Sequence, residues 1–355
     1  MRGKEKPLRF TVTGQSLIED EMKNSSKNPS YLSLIEHIQK SDLAFTNFEG
    51  NISPGSGSGP LDDLKWMGFN LLSLANNHAA ETGIDNMMFT KECAESMGFC
   101  TAGTGRTLEE ATQPSYIEVS GCKIALIAMD TANLQTKDAI AGVNGKPGVN
   151  PLRGVRESST VIHLNTDDVE RNLEAIRKAS NEADYVFVSL HEHFWHVEWK
   201  DITYEKHWPE EWKHILQWKQ DFTRKAVDAG ASAVICHGLP SMCAIEIYKN
   251  KPIFYSAGNF IFHLSLKCWF NEEVWEGCII DVILENCKVK ELQLIPIVLV
   301  DRNGVSDVPN EFRRFPAVAD KERSKSIIER IAYESSVFGT KIEWINGMYR
   351  VKLDI

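Results

Sequence analysis

No Cys-x-x-Cys pair occurs in the 355 residues, although the chain has 8 cysteines. Cys93, Cys100, Cys122, Cys236, Cys243, Cys268, Cys278 and Cys287 are scattered, which suits reduced thiols in a cytosol better than a disulfide framework. There is no basic excess: the net charge of -10 argues against a non-specific grip on nucleic acid or acidic membranes. It leaves room for a local positive pocket made by a metal. No apolar run reaches membrane-spanning length, and the opening "MRGKEKPLRFTVTG" is charged and lacks the apolar core of a signal peptide. A cytoplasmic location is therefore expected, with no membrane segment and no nucleic-acid partner. Repeats and low-complexity tracts are absent too. "GTGRT" near Gly103 is too short and misplaced for a nucleotide loop.

What is present is a core-forming composition, 43% hydrophobic and 25% charged, long enough for one large α/β domain or two ordinary ones. Strand-like and helix-like runs alternate. "LRFTVTG" is followed by a polar, helix-prone stretch, and "LSLIEHIQKSD" has helical spacing. "LAFTNFEG", the loop "SPGSGSGPLD" and "FNLLSLANNH" come next, then a helix "IDNMMFTKECAESMG" ending at Gly98. "YIEVSGCKIALIAM" reads as a hairpin turning at Ser120-Gly121, and "IEIYKNKPIFYSAGNFIF" as another. "DDVERNLEAIRKASNEAD" is an amphipathic helix feeding "YVFVSLHEHFW", and "DFTRKAVDAGASAVICHG" repeats that unit. "GCIIDVILENCKVKELQLIPIVLV" reads as a final antiparallel pair before a C-terminal helix "SKSIIERIAYES". The expected architecture is one α/β domain with mixed sheets over residues 8–300, with 301–355 as an extension packed on it.

The strand ends carry the chemistry. "FTVTG" ends at Gly14-Gln15, "LAFTN" at Asn47-Phe48-Glu49, and "LLSLA" at Asn76-Asn77-His78. "VFVSL" ends at His191-Glu192-His193 and "SAVIC" at Cys236-His237-Gly238. In open α/β sheets such tips line the ligand crevice. One such histidine is ordinary; the same feature on successive strands predicts a shared site. The plain alternative for "NNH" is that Asn76 caps the next helix and His78 is merely half exposed.

"NFEG", "LANNHAAETG", "VSLH", and "HG" followed by "IEIYKNKPIFYSAGNFIF" resemble the CapA family of poly-γ-glutamate capsule synthesis proteins, within the calcineurin-like metallophosphoesterase superfamily. "KPGVNPLR" and "FGTKIE" extend the resemblance over nearly the whole chain. It implies an α/β fold, a metallophosphoesterase-like sandwich of two mixed β-sheets flanked by helices with a metal centre at the strand tips. It implies Glu49, Asn77, His191 and His237 as metal ligands and His78 as proton donor to the leaving group. Gln15, Asn76, Arg153, His193 and Asn259 are then expected to line the substrate.

Two positions depart from the family pattern. Gly14-Gln15 stands where the family has Gly-Asp, and Cys236-His237-Gly238-Leu239-Pro240 where it has roughly Gly-His-Gly-Pro-His. Both losses fall on the same metal of the superfamily's pair. Two divalent ions about 3.5–4 Å apart would be neutralised by a single carboxylate. One divalent ion is therefore expected, Mn, Fe or Zn rather than Ca given the nitrogen and oxygen donors, with the second site lost. His193, Cys236, His196 and His263 are the residues that could refill it.

The expected reaction is a metal-dependent hydrolase-type step on a phosphoester or a peptide-like, γ-glutamyl amide of a small molecule. The other expectation is a CapA-like binding or accessory module without turnover. Arg153 in "NPLRG" could clamp a phosphate or carboxylate, or simply be solvated. Asn259 in "SAGNFIF" either orients the site or serves as a turn amide. "HFWHVEWKDITYEKHWPEEWKHILQW" offers an aromatic lid or ordinary packing. His37 and His163 read as structural or surface residues.

Overall fold

The computed structural model describes residues 7–131, 140–141, 145–195, 208–263 and 270–353. His196, Trp199, His207 and Cys268 lie outside the described residues.

Two mixed sheets form the body. The first has ten strands, with the main path Ile342–Ile345, Met348–Val351, Lys288–Val300, Glu276–Glu285, Leu8–Leu17, Leu43–Phe48, Leu71–Ser73, Cys100–Ala102. Asn259–Phe262 joins it in parallel beside the C-terminal half of Leu8–Leu17, and Phe315–Val318 pairs with Lys288–Val300. The second sheet has six strands, in the order Ile245–Tyr248, Lys251–Phe254, Ala233–His237, Tyr185–His191, Cys122–Asp130, Ser115–Val119. The second sheet has a parallel centre and antiparallel edges, whereas the first is parallel from Leu8–Leu17 through to its edge strand Cys100–Ala102 and antiparallel on its other side.

Strand alternation sorts the cores. Ile124, Leu126, Ala128, Phe187 and Ile235 on one face of the second sheet join the core shared with the first sheet, where Phe10 stacks on Phe187 at 4.1 Å between ring centroids. Their chain neighbours Ala125, Ile127, Val186, Val188 and Val234 form a separate core under the helices Thr166–Glu182 and Gln217–Asp228. On the first sheet, the helix Pro29–Gln39 buries Tyr31, Leu34, Ile35 and Ile38. It starts where it does because Asn28 accepts from the Ser30 and Tyr31 amides and Pro29 needs no acceptor. Asn165 caps Thr166–Glu182 in the same way, accepting from Asp168 N at 2.9 Å.

The hairpins turn where the sequence predicts. Ser120 and Gly121, and Lys249 and Asn250, all adopt positive φ, as tight two-residue loops require. Three expectations are corrected. The first strand runs through Gly14 to Leu17, because Asn259–Phe262 pairs with its second half, and among the described residues no helix precedes Pro29. The pair Glu276–Glu285 and Lys288–Val300 is not the last, since Phe315–Val318 and the hairpin Ile342–Ile345, Met348–Val351 add further strands. The helix after "NNH" begins only at Ile84, so Asn76 does not cap it.

Candidate active site

The tips of both parallel centres meet at one edge of the sandwich. Gly238 N donates to Gln15 Oε1 at 3.0 Å, and Glu49 Oε1 lies 3.3 Å from His191 Nδ1, each contact joining one sheet to the other. Glu49 is 2% exposed, His191 1% and His237 0%, so the charge state of each is set by its neighbours rather than by bulk water.

A hydrogen-bonded chain runs through these groups. Asn47 Nδ2 donates to Glu49 Oε1 at 2.9 Å and faces His191 Nδ1 at 3.2 Å. With Nδ1 accepting, His191 Nε2 carries the proton and donates to Asn77 Oδ1 at 2.8 Å. Asn76 clips the "NNH" turn onto the neighbouring tip: its Nδ2 donates to Phe48 O at 2.7 Å and its Oδ1 accepts from His78 N at 3.1 Å. With both ends of its amide engaged and no exposed surface, Asn76 positions His78 and cannot line a substrate as expected. His78 Nδ1 pairs with Glu81 Oε2 at 2.8 Å.

Burial pushes the Glu49 carboxyl up to about 7; Asp130 and Glu81 add to the rise, and His78 and the Asn47 amide oppose it. Burial also drives the imidazoles of His193 and His237 down to about 3, and His191 well below its ordinary value, so all three are neutral at pH 7. A neutral imidazole is the form that ligates a metal. His78 goes the other way. Burial lowers it, but the hydrogen bond to Glu81 and the charge of Glu49 outweigh that and raise it.

His237 is the anomaly. Both its ring nitrogens are fully buried without a hydrogen-bond partner among the described residues. Its backbone is fixed: Glu192 N donates to His237 O at 3.0 Å, and Gly238 (φ 104°) passes so close to Glu192 O that no Cβ fits. Among the described residues, no three His, Cys, Asp or Glu side chains stand as a ready-made metal cluster. Instead the expected ligands Asn77 and His191 bond each other through a proton.

The other expected residues separate. Gln15 is buried and its oxygen is held by Gly238, so it serves as a latch between the sheets. Arg153 is held by an ion pair: Nε and Nη2 grip both oxygens of the fully buried Asp168, at 2.7 and 2.8 Å, and Arg171 joins them. Asn259 sits beside Gln15 in register and donates to Val274 O at 3.1 Å. His193 packs edge-on between His191 and Trp195, with ring centroids 4.9 Å apart on each side. Trp195 leads into an aromatic cluster with Trp208, Phe262, Phe270 and Trp275.

Two of the suggested replacement ligands fail. Cys236 points into the core under the helices, its thiol pushed up to about 12 by burial. His263 is used structurally: Nδ1 accepts from Glu19 and Asp20 amides and Nε2 donates to Arg314 O.

Four residues were missed. Asp130 ends the strand Cys122–Asp130 next to His191, the very pattern that marked the other tips. Asn47 lies inside one of those tips. Glu81 follows His78 by three residues and was visible as a nearby acid. Lys219, fully buried, bonds Glu192 between the two tip histidines; only tertiary structure reveals it.

Comparison with known proteins gives a consistent picture. The family model described as "Bacterial capsule synthesis protein PGA_cap" matches residues 9–264. An uncharacterized protein, y4sH, of Sinorhizobium fredii is 23% identical, the match covering 94% of this chain and 90% of that protein. The PGA biosynthesis protein CapA of Bacillus subtilis is 25% identical over 79% of this chain and 61% of its own length. A probable polyglutamine synthesis accessory protein of Mycobacterium tuberculosis is 24% identical over 53% of this chain and 44% of its own.

Proposed function

From its place in the PGA_cap family of bacterial capsule synthesis proteins, to which this chain belongs, we propose that the strand-tip cluster is a single-metal hydrolase-type centre acting on a phosphoester or a peptide-like amide. The observation that carries this reading is His237, a neutral imidazole with both nitrogens buried and unsatisfied, in register with His191 on the neighbouring strand. Leaving such a group unmet costs on the order of 1–3 kcal/mol, which a ligand would offset. One carboxylate, one amide oxygen and two neutral imidazoles fit a divalent ion of the Mn, Fe or Zn kind. When bound there, such an ion supplies Lewis acidity toward a phosphoryl or carbonyl oxygen and toward water.

The chain's own residues do the rest. Glu81 holds the His78 ring in one orientation and favours its protonated form, in which Nε2–H can be given to a leaving oxygen or nitrogen. Asn76 fixes His78 against the tip of Glu49. His193 and Trp195 form an aromatic edge that limits water on one side.

A second reading, a binding or accessory module, is favoured by Gln15, whose oxygen is committed to Gly238 and leaves one carboxylate in the proposed ligand set. The name of the mycobacterial relative, an accessory protein, points the same way. One experiment separates the readings. Purified protein is analysed for metal, then assayed on a panel of phosphoesters and γ-glutamyl amides with added Mn. The hydrolase reading predicts bound metal and turnover that His78→Ala abolishes at unchanged metal content. Metal-free protein with no turnover on any substrate would favour the binding module.

A further inference from the structure

A cleft of about 220 Å³ lies where the edges of the two sheets come together beside the end of the helix Lys321–Ser336. It is lined by Ile247 on the edge strand Ile245–Tyr248, by Phe338, Gly339, Thr340 and Lys341 after the helix, and by Lys352 after Met348–Val351. None of these residues belongs to the strand tips. Drug-sized ligands occupy pockets of about 300–1,000 Å³, so this cleft suits something smaller.

Two lysines face each other in it. Ile342 pairs with Val351 and Glu343 with Arg350 across the last hairpin. Lys352 N donates to Lys341 O at 2.8 Å, so the ladder continues outward to Lys341 opposite Lys352. Opposed side chains of an antiparallel pair share a face, with Cβ atoms about 4.5–5.5 Å apart, and like charges there repel. The next pair on that face, Glu343 and Arg350, is opposite in sign. Neither lysine has an ion-pair partner among the described residues. In a chain of net charge -10, two opposed ammonium groups left without a carboxylate call for an anion.

A second, independent observation lies beside them. Thr340 is 6% exposed, and its Oγ1 is fully buried with no hydrogen-bond partner among the described residues. The amides of the same segment are already used: Phe338 N and Thr340 N donate to Ser335 O, and Gly339 N donates to Ser336 O. The hydroxyl is what remains over. Phe338 is stacked on Tyr255 at 5.1 Å between ring centroids, which fixes the apolar wall. A Cβ at Gly339 would meet nothing within 4 Å, so the cleft is open at that point.

The lining side chains thus offer two cations, a spare hydroxyl and two apolar surfaces, and no carboxylate. We propose that this cleft binds a small anion of carboxylate or phosphate chemistry, gripped between Lys341 and Lys352 with Thr340 donating to it. The anion relieves the repulsion between the lysines and ties the last hairpin to the edge of the second sheet. The proposal is independent of any metal at the strand tips.

The test uses the full chain, titrated by calorimetry with inorganic phosphate alone and with glutarate alone at constant ionic strength, with melting followed in parallel. The expected result is a saturable site and a higher melting point with the anion present. Affinity should fall at least about tenfold when Lys341→Gln and Lys352→Gln are combined, and by less in Thr340→Val. Lys325→Gln, which removes an exposed charge from the neighbouring helix, should bind as wild type does. Tighter binding of phosphate assigns a phosphate-bearing ligand, and tighter binding of glutarate a carboxylate-bearing one. No saturable binding of either probe, or equal affinity in wild type and the double variant, overturns the site. An equal loss in Lys325→Gln also overturns it, leaving only attraction by overall charge. If the lysines serve only to offset the negative end of the helix, the double variant melts lower without anion and binds as before, which overturns the proposal too. Unchanged affinity in Thr340→Val overturns the part given to Thr340.

Discussion

Gln15 and Gly238, 223 positions apart in the chain, are joined by a buried hydrogen bond of 3.0 Å from the Gly238 amide to the Gln15 side-chain oxygen. The bond locks the two sheets together beside His237, and it occupies the atom that a metal or substrate would otherwise use. Gln15→Ala should therefore lower stability by about 1–3 kcal/mol, the cost of an orphaned buried donor. Urea denaturation measures it; a change within 0.5 kcal/mol or so would mean the latch is incidental.

Arg153 gives a contrast between structural and substrate-binding roles. Burial works to raise the Asp168 carboxyl, but hydrogen bonds from Arg153 and Arg171 outweigh it and hold the group below the usual carboxylate range. Stability from this pair is thus complete above the unfolded carboxylate value and is lost as pH falls through the folded one. Arg153→Ala should cost about 1–2 kcal/mol at pH 7, limited by solvent at the half-open guanidinium and by the remaining Arg171. The deficit should shrink below pH 4 or so, where Asp168 protonates in the unfolded chain. Thermal melts across pH check both; a deficit unchanged at low pH would refute the assignment.

Lys219 and Glu192 make a buried ion pair directly behind the tip histidines. Lys219→Met leaves the buried Glu192 carboxyl without its cation, and a loss of about 3–5 kcal/mol is expected. Adding Glu192→Gln should recover part of it. A double variant no more stable than the single one would show that the two residues are not coupled.

His78 carries a pH signature. Its folded value is raised by the partner Glu81, so its protonated form persists to higher pH than a free histidine's. Glu81→Gln removes that partner and should shift the His78 titration to lower pH, which an NMR titration of the ring reads without any substrate. In the hydrolase reading, the fall in turnover at high pH should move downward by the same interval. An unmoved titration would detach Glu81 from His78.

Much of this was legible in the sequence, because strand tips and turns are local features. The ends at Glu49, Asn77, His191 and His237 were marked by polar groups following apolar runs, and the structure brings Glu49, Asn77 and His191 into contact. Asp130 escaped because a single aspartate after a strand is also ordinary turn chemistry. The ion pair of Arg153 is hidden in the sequence because its partner Asp168 lies on a helix start, and nothing local says that the two meet. The late hairpin had a signal that went unread. Asn346-Gly347 adopts positive φ at both positions, the usual tight-turn pair, between the short strands Ile342–Ile345 and Met348–Val351. Phe315–Val318 had none, being four residues with a proline at an edge.

The central claim is that the buried tip of Glu49, Asn77, His191 and His237 binds a divalent cation. Calorimetric titration of metal-stripped wild type and Glu49→Gln with Mn(II), at pH 8 where Glu49 is ionised, tests it most directly. The account predicts one ion bound by the wild type and binding weakened by at least about tenfold in the variant. Absence of binding by the wild type, or equal binding by both, would contradict it.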